Sequence, residues 1–219
     1  SKILFTHKES LNFHQEYFKI DPSKTFVANP ISKFDHEIFN KSLNYDYSSK
    51  PIKFGYFGIF TKGVRSPRNF LESIKNIDDL EIFWYVNEDS REQIKSNNLM
   101  ISNSHFKSIV PREEAKNLMA DSVHCLISIG NMNTNQLPSK VIEYLSTGKP
   151  VIHFAEVRDD PVNMIAEKFD NLFILTKEDN IEKFFFNLNN YFKNIDAFDK
   201  KLFIENYTAS SVIKILDLT

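Results

Sequence analysis

The chain has 219 residues and a formal net charge of −2, with 27 Lys plus Arg against 29 Asp plus Glu. That balance argues against a general nucleic-acid-binding surface, which would be basic. At 42% hydrophobic and 26% charged residues, the composition is that of a soluble globular protein with one or two domains and a proper core.

The single cysteine, Cys125, lies in the apolar run Val123 to Ile129 and has no second Cys for a disulfide or a metal site. It reads as a small buried residue in a reducing compartment. No signal peptide and no apolar run of membrane-spanning length is present, which points to the cytoplasm. The start, "SKILFTHKES", has no Met and reads as part of a longer chain.

In chain order, Ile3-Leu4-Phe5 and Thr25-Phe26-Val27 are short apolar patches around a polar-aromatic segment that can be helical. "NPISKFDHEIFNKSLNYDYSSKP" is rich in Asn, Ser, Asp and Pro and reads as a connecting segment, with a boundary before Lys24. From Lys53 strands and helices alternate. "KFGYFGIF" reads as a strand, and a helix from about Ser66 puts Phe70, Leu71, Ile74 and Ile77 on one stripe. "LEIFWYV" is the next strand, followed by a short helix from Arg91 to Asn97. "FKSIV" (Phe106 to Val110) is a strand, and Pro111 opens a helix through Leu118. "VHCLISI" leads to a helix opened by Pro138, and "PVIHF" to one opened by Pro161. "NLFIL" precedes a helix that buries Ile181, Phe184, Phe185, Leu188 and Phe192, and a last helix carries Val212 to Leu216.

Strands apolar on both faces and alternating with helices predict a doubly wound α/β fold with a parallel sheet, Rossmann-like in plan. Such sheets bind ligands at the carboxyl ends of their strands. Gly58, Gly63 and Gly130 fall at those ends, placed either for turn geometry or for close approach of a ligand. Familiar motifs fail. "GIFTKGVR" has Val64 and Arg65 where a P-loop needs Lys and Ser/Thr, and the glycine spacing misses the dinucleotide fingerprint. No G-x-S-x-G elbow, no H-E-x-x-H and no acidic receiver cluster is present. His124 and His153 read as structural, and Asp159-Asp160 as a solvated turn.

The segment "NQLPSKVIEYLSTGKPVIHF" (Asn135 to Phe154) carries the most chemistry. Pro138 reads as a first helical residue, leaving free N–H groups that favour an anion at the helix start. Lys140 is ill placed against the helix dipole unless an anion lies between. Glu143, on the second turn, either is an ordinary solvated glutamate or accepts two hydrogen bonds from a vicinal diol such as that of a ribose.

"LPSKVIEYLSTGKPVI" resembles the donor-binding segment of GT-B-type glycosyltransferases of the "glycosyl transferases group 1" class. "KTFVANPIS", "IKFGYFGIFTKG" and "VPREEAKNLMADSVHCLISI" are similar to other stretches of the same C-terminal domain. The resemblance implies one half of a two-domain GT-B architecture that binds a nucleotide sugar, UDP- or GDP-linked. Hexose transfer to a glycan acceptor would follow, in polysaccharide or glycan biosynthesis. It assigns Glu143 to the ribose, and Gln136, Leu137, Pro138, Ser139 and Lys140 to the diphosphate together with Gly58 and Lys62. Val110, Pro111 and Arg112 flank the base, and Gly130 to Asn135 line the sugar. It implies no metal and no further cofactor, and it assigns no catalytic residue. Residues 1–23 are the remnant of the N-terminal half, 24–205 the donor domain and 206–219 a C-terminal helix. A glycan or lipid-linked acceptor would bind the N-terminal half, with peripheral membrane association of the full-length protein, and the isolated domain would turn over little or not at all. Three positions depart from the pattern: Asn135 stands at the first motif glutamate, Asn87 where a glycine pair is common after the second strand, and Ile59 at the arginine after the loop glycine, where Lys62, Arg65 or Arg68 can compensate. The alternatives are a nucleotide-sugar epimerase on the same scaffold, for which no carboxylate pair stands at the strand tips, or a non-catalytic binding module.

Overall fold

A computed structural model describes residues 2–96, 103–192 and 198–217. The two apolar patches near the start, β1 (Ile3–Phe5) and β2 (Thr25–Val27), pair in parallel as a small sheet of their own. Between them runs α1 (Lys8–Phe18), whose first turn is capped by the His7 ring, Nδ1 accepting from the Ser10 N–H at 3.2 Å. β2 follows the expected boundary at Lys24, yet it joins β1 and not the main sheet.

The expected connecting segment holds a helix, α2 (His36–Leu43). The Asp35 carboxylate caps it, accepting from the N–H groups of Glu37 (3.0 Å) and Ile38 (3.3 Å), and the helix buries Ile38, Phe39 and Ser42. An acidic cap followed three residues on by an apolar pair is a helix start that overall polarity hides.

Six parallel strands then form one sheet: β3 (Ile52–Phe57), β4 (Leu80–Tyr85), β5 (Ser104–Lys107), β6 (Cys125–Ile129), β7 (Val151–Phe154) and β8 (Leu172–Leu175). Their order is β5-β4-β3-β6-β7-β8, so the winding reverses between β3 and β6. On one face pack α3 (Arg68–Ile74), α4 (Glu88–Ser96) and α8 (Ile181–Tyr191), burying Phe70, Leu71, Ile74, Ile94, Phe185 and Leu188 against Phe54, Tyr56 and Trp84. On the other lie α2, α5 (Arg112–Asp121), α6 (Ser139–Leu145), α7 (Asn163–Ala166) and α9 (Lys200–Tyr207), which meet Phe57, Leu126 and Val151. This is the expected doubly wound α/β fold.

Several boundaries differ from expectation. β5 ends at Lys107, so Ile109 and Val110 belong to the loop. The helix after Pro161 is a single turn, α7, and the chain ends in two helices, α9 and α10 (Ala209–Asp217). Ser1, Asn97, Leu218 and Thr219 lie outside the described residues. Among the described residues no helix is long and apolar enough to cross a membrane.

At the reversal point β3 and β6 pair only through Phe54 with Cys125 and Gly55 with Leu126, while β3 stays paired to β4 as far as Phe57 with Tyr85. Past Gly55 the two strands part. The Tyr144 hydroxyl, from α6, enters that gap, donating to the Phe57 carbonyl and accepting from the Phe57 N–H, each at 3.0 Å.

α6 is closed by Gly148 in the left-handed region (φ +76), where an added Cβ would lie 2.5 Å from the Phe39 ring. Gly148→Ala should lower the unfolding free energy in urea by about 2 kcal/mol or more, from strain and overpacking together. A loss below about 0.5 kcal/mol would contradict that geometry.

His124 is buried; its Nδ1 accepts from the Lys53 N–H at 3.0 Å, which makes Nε2 the donor to the Ser49 carbonyl at 3.0 Å. Burial lowers its pKa from 6.5 to about 4, against the Ser49 hydrogen bond and with help from Lys149, Lys53 and Lys50. The unfolded chain therefore binds the proton first, and stability falls as pH drops through 6.5 toward 4. Urea unfolding should lose about 2 kcal/mol between pH 7.5 and 5, and a folded His124→Asn variant should lose that dependence.

Candidate functional site

The tips of β3 and β4, the loop after β5 and the starts of α5 and α6 enclose a cavity of about 430 Å³. One wall is the Phe57–Tyr85 ring pair, partners in register on adjacent strands, stacked at 4.4 Å and 5°. Ile109, more than half exposed, and Val110 also line it. Sequence reading did not single out Phe57, Tyr85 or Ile109 as site residues; the detectable signal was the register of two strands that both end in aromatics.

Glu143 lies against this cavity with its side chain 15% exposed. One carboxylate oxygen accepts from Lys140 Nζ at 2.6 Å, three residues back on the same helix face. The other accepts from Arg112 Nε at 3.3 Å, across from the first residue of α5. Glu143 is therefore not a solvated surface charge. It is an acceptor held between two cations at the edge of an open cavity.

Pro138 stands one residue earlier than expected, at the N-cap of α6 with ψ 106, so the helix begins at Ser139. No side chain caps this start, and the Val141 N–H turns back to the Pro138 carbonyl at 3.1 Å. A Cβ built at Gly58 would meet nothing nearer than the Tyr56 hydroxyl at 3.4 Å. The protein leaves room there, so the glycine is not required by its own packing.

Of the expected site residues, Gly58, Val110, Arg112, Ser139, Lys140 and Glu143 line the cavity together. Pro111 is the N-cap of α5, between two lining residues. Leu137 is buried in the core, and Gln136 gives its carbonyl to Asn131 Nδ2 at 3.1 Å. Lys62 is exposed in the loop beside Gly63, and Asn135 is exposed with its N–H on Asn133 Oδ1 at 3.1 Å; neither lines the cavity. Gly130 is explained by packing, since a Cβ there would lie 2.5 Å from Asp160 Oδ2.

That Asp160 corrects the expectation of a solvated turn. It is 2% exposed, sits 3.2 Å from His153 Nε2, and accepts from the Val162 N–H at 2.9 Å. His153 Nδ1 meets the Ser128 hydroxyl at 3.0 Å; His153 in β7 and His124 just before β6 are both buried and hydrogen-bonded, in keeping with their structural reading. Among the described residues no three His, Cys, Asp or Glu side chains gather as a metal site.

No family model matches the sequence, and no curated protein matches it. In structure the chain resembles HepE of Anabaena, solved with UDP and glucose, with TM-score 0.68 and 12% identity over 99% of this chain and 62% of that one. It resembles a glycosyltransferase from Rickettsia africae with TM-score 0.69 and 14% identity, over 100% and 62%. It also resembles WaaG, a glycosyltransferase involved in lipopolysaccharide biosynthesis, with TM-score 0.57 and 14% identity, over 94% and 62%. The chain thus spans about 62% of the length of these three proteins. Likeness at this identity speaks for fold, and the chain has the doubly wound α/β fold that these solved structures, two named glycosyltransferases among them, contain.

Proposed function

We propose that this chain is the donor-binding part of a glycosyltransferase that takes a nucleoside diphosphate sugar, UDP- or GDP-linked, and passes a hexose to a glycan or lipid-linked acceptor. The observation that carries this reading is Glu143: an acceptor carboxylate at the point where the sheet reverses, set between Lys140 and Arg112 in an open cavity. Doubly wound sheets bind nucleotides at that reversal.

In this reading the base lies between the Phe57–Tyr85 wall and Ile109–Val110. The ribose diol donates to Glu143, taking over acceptor positions that Arg112 and Lys140 now occupy. Lys140, freed from Glu143, turns to the diphosphate beside Ser139 and Gly58. The catalytic work asked of the protein is electrostatic: cations fixed where the departing diphosphate gathers charge. No metal or further cofactor has a part in it. The small β1–β2 sheet and α1 belong with the acceptor-binding half, which puts the domain boundary after Val27. The compartment is the cytoplasm, and any membrane contact of the whole protein is peripheral.

Thermal unfolding with UDP, GDP and ADP tests this. One nucleotide, at about 100 times its Kd, should raise the melting temperature by roughly 5–10 °C. A flat response to all three would sink the donor reading. Glu143→Ala should weaken the binding about 10- to 100-fold, read by calorimetric titration, because a hydrogen-bonded charge is removed. Unchanged affinity would remove Glu143 from the ribose.

A further inference from the structure

We propose that a second cavity, at the tips of β7 and β8, binds a sugar ring separate from the donor's, with Glu156 and Asn69 meeting its hydroxyls. The site stands on its own geometry; only its reading as the seat of an acceptor ring rests on the donor reading above.

Strand order separates the two cavities. The first opens at the tips of β3 and β4, the second beyond β6, at β7 and β8, and no lining residue is common to both. Sheets of this kind bind ligands at these carboxyl ends. The second cavity measures about 500 Å³, within the size range of small-ligand sites. It is lined by the loop after β7, residues 155–158, by the loop after β8, residues 176–178, and by Asn69 in the first turn of α3. Phe154, whose ring meets Phe70 edge-on, lines it too. The loop after β6 starts beside it, since a Cβ built at Gly130 would lie 3.2 Å from the Glu156 nitrogen.

Glu156 is half-buried, and its Oε2 accepts from Asn69 Nδ2 at 2.7 Å. Its Oε1 is covered and has no hydrogen-bond partner. Burial raises the pKa of this carboxyl, while the Asn69 hydrogen bond and Lys177 pull it the other way. The last torsion of a glutamate side chain is broad, so the carboxyl can turn its orphan oxygen to the cavity that it lines. Among the described residues the second N–H and the Oδ1 of Asn69 have no hydrogen-bond partner either.

The rest of the lining selects the ligand. Arg158 and Lys177 stand against Glu156 and Glu178, so the charges cancel. An anion would meet the half-buried carboxyl, and a cation would meet two basic side chains. A neutral ligand rich in hydroxyls meets neither penalty. A hydroxyl both donates and accepts, so neighbouring hydroxyls of one ring can donate to Glu156 and accept from Asn69. A planar carboxyl beside a planar amide suits such a pair.

NMR titration of the isotope-labelled chain with the methyl glycosides of glucose, galactose, mannose and N-acetylglucosamine tests this. At least one should bind with a Kd on the order of 1–10 mM, as expected of a single ring, and shift the amide signals of the two lining loops. Glu156→Ala and Asn69→Ala should each weaken that binding about 10-fold or more. Should Glu156→Ala fail to fold, Asn69→Ala decides. Saturating UDP, GDP or ADP should leave the glycoside bound. Displacement by UDP-glucose or GDP-mannose, but not by the bare nucleotides, would make the ring the donor's own and overturn the proposal. Silence from all four glycosides, or unchanged affinity in the folded variants, overturns it as well. Glycoside binding without a response to any nucleotide keeps this site and removes the donor reading. Nucleotide binding without glycoside binding removes this site alone.

Discussion

The site depends on one hydroxyl. Past Gly55 the strands β3 and β6 part, and the N–H and C=O of Phe57 lose their ladder partners inside a buried region. Each such group left bare would cost about 1–3 kcal/mol. The Tyr144 hydroxyl serves both, as donor to one and acceptor from the other. Tyr144 is the residue after Glu143 on α6, and its ring is fully buried. Satisfying the end of one strand therefore sets the height and rotation of the helix that carries Lys140 and Glu143 over Gly58. A fold-level necessity, the opening at the reversal point, becomes the device that places the functional side chains.

The charges on that helix form a closed circuit in this structure. Glu143 holds both Lys140 and Arg112, and the two ion pairs differ in their setting. Arg112 is 63% exposed, and an exposed pair of that kind contributes little, roughly 0–1 kcal/mol. Lys140 is 40% exposed with a 2.6 Å contact, a firmer but still solvent-screened pair. Both are weak enough for a polyol and a diphosphate to replace, and the two cations hold the carboxylate in its orientation until then. The same residues that recognise the ligand in our reading hold each other in register without it.

Much of this was legible in the sequence, and the limits have physical causes. The six strands announce themselves because both faces of a central parallel sheet are apolar. Glu143, Lys140, Ser139, Gly58, Val110 and Arg112 sit at strand and helix ends, where the fold rule points. Helix α2 was hidden because only three of its residues are buried and the rest is solvated. Asp160 was misread because an Asp-Asp pair before a proline looks the same whether water or His153 faces its second carboxylate. The aromatic wall needed the register of β3 against β4, which pairing geometry decides and local pattern does not. Lys62 and Asn135 matched by position along the chain, and neither is among the residues that line the cavity.

The loops around the site are held by buried side chains and by single polar anchors from neighbouring elements. The loop after β3 is fixed at Phe60, whose N–H donates to the Ser90 hydroxyl at 2.8 Å and whose carbonyl accepts from Gln93. The loop after β6 leaves over the buried His153–Asp160 pair, with Gly130 pressed against Asp160. Such anchors constrain a loop at one or two backbone points and leave the residues between them free to differ.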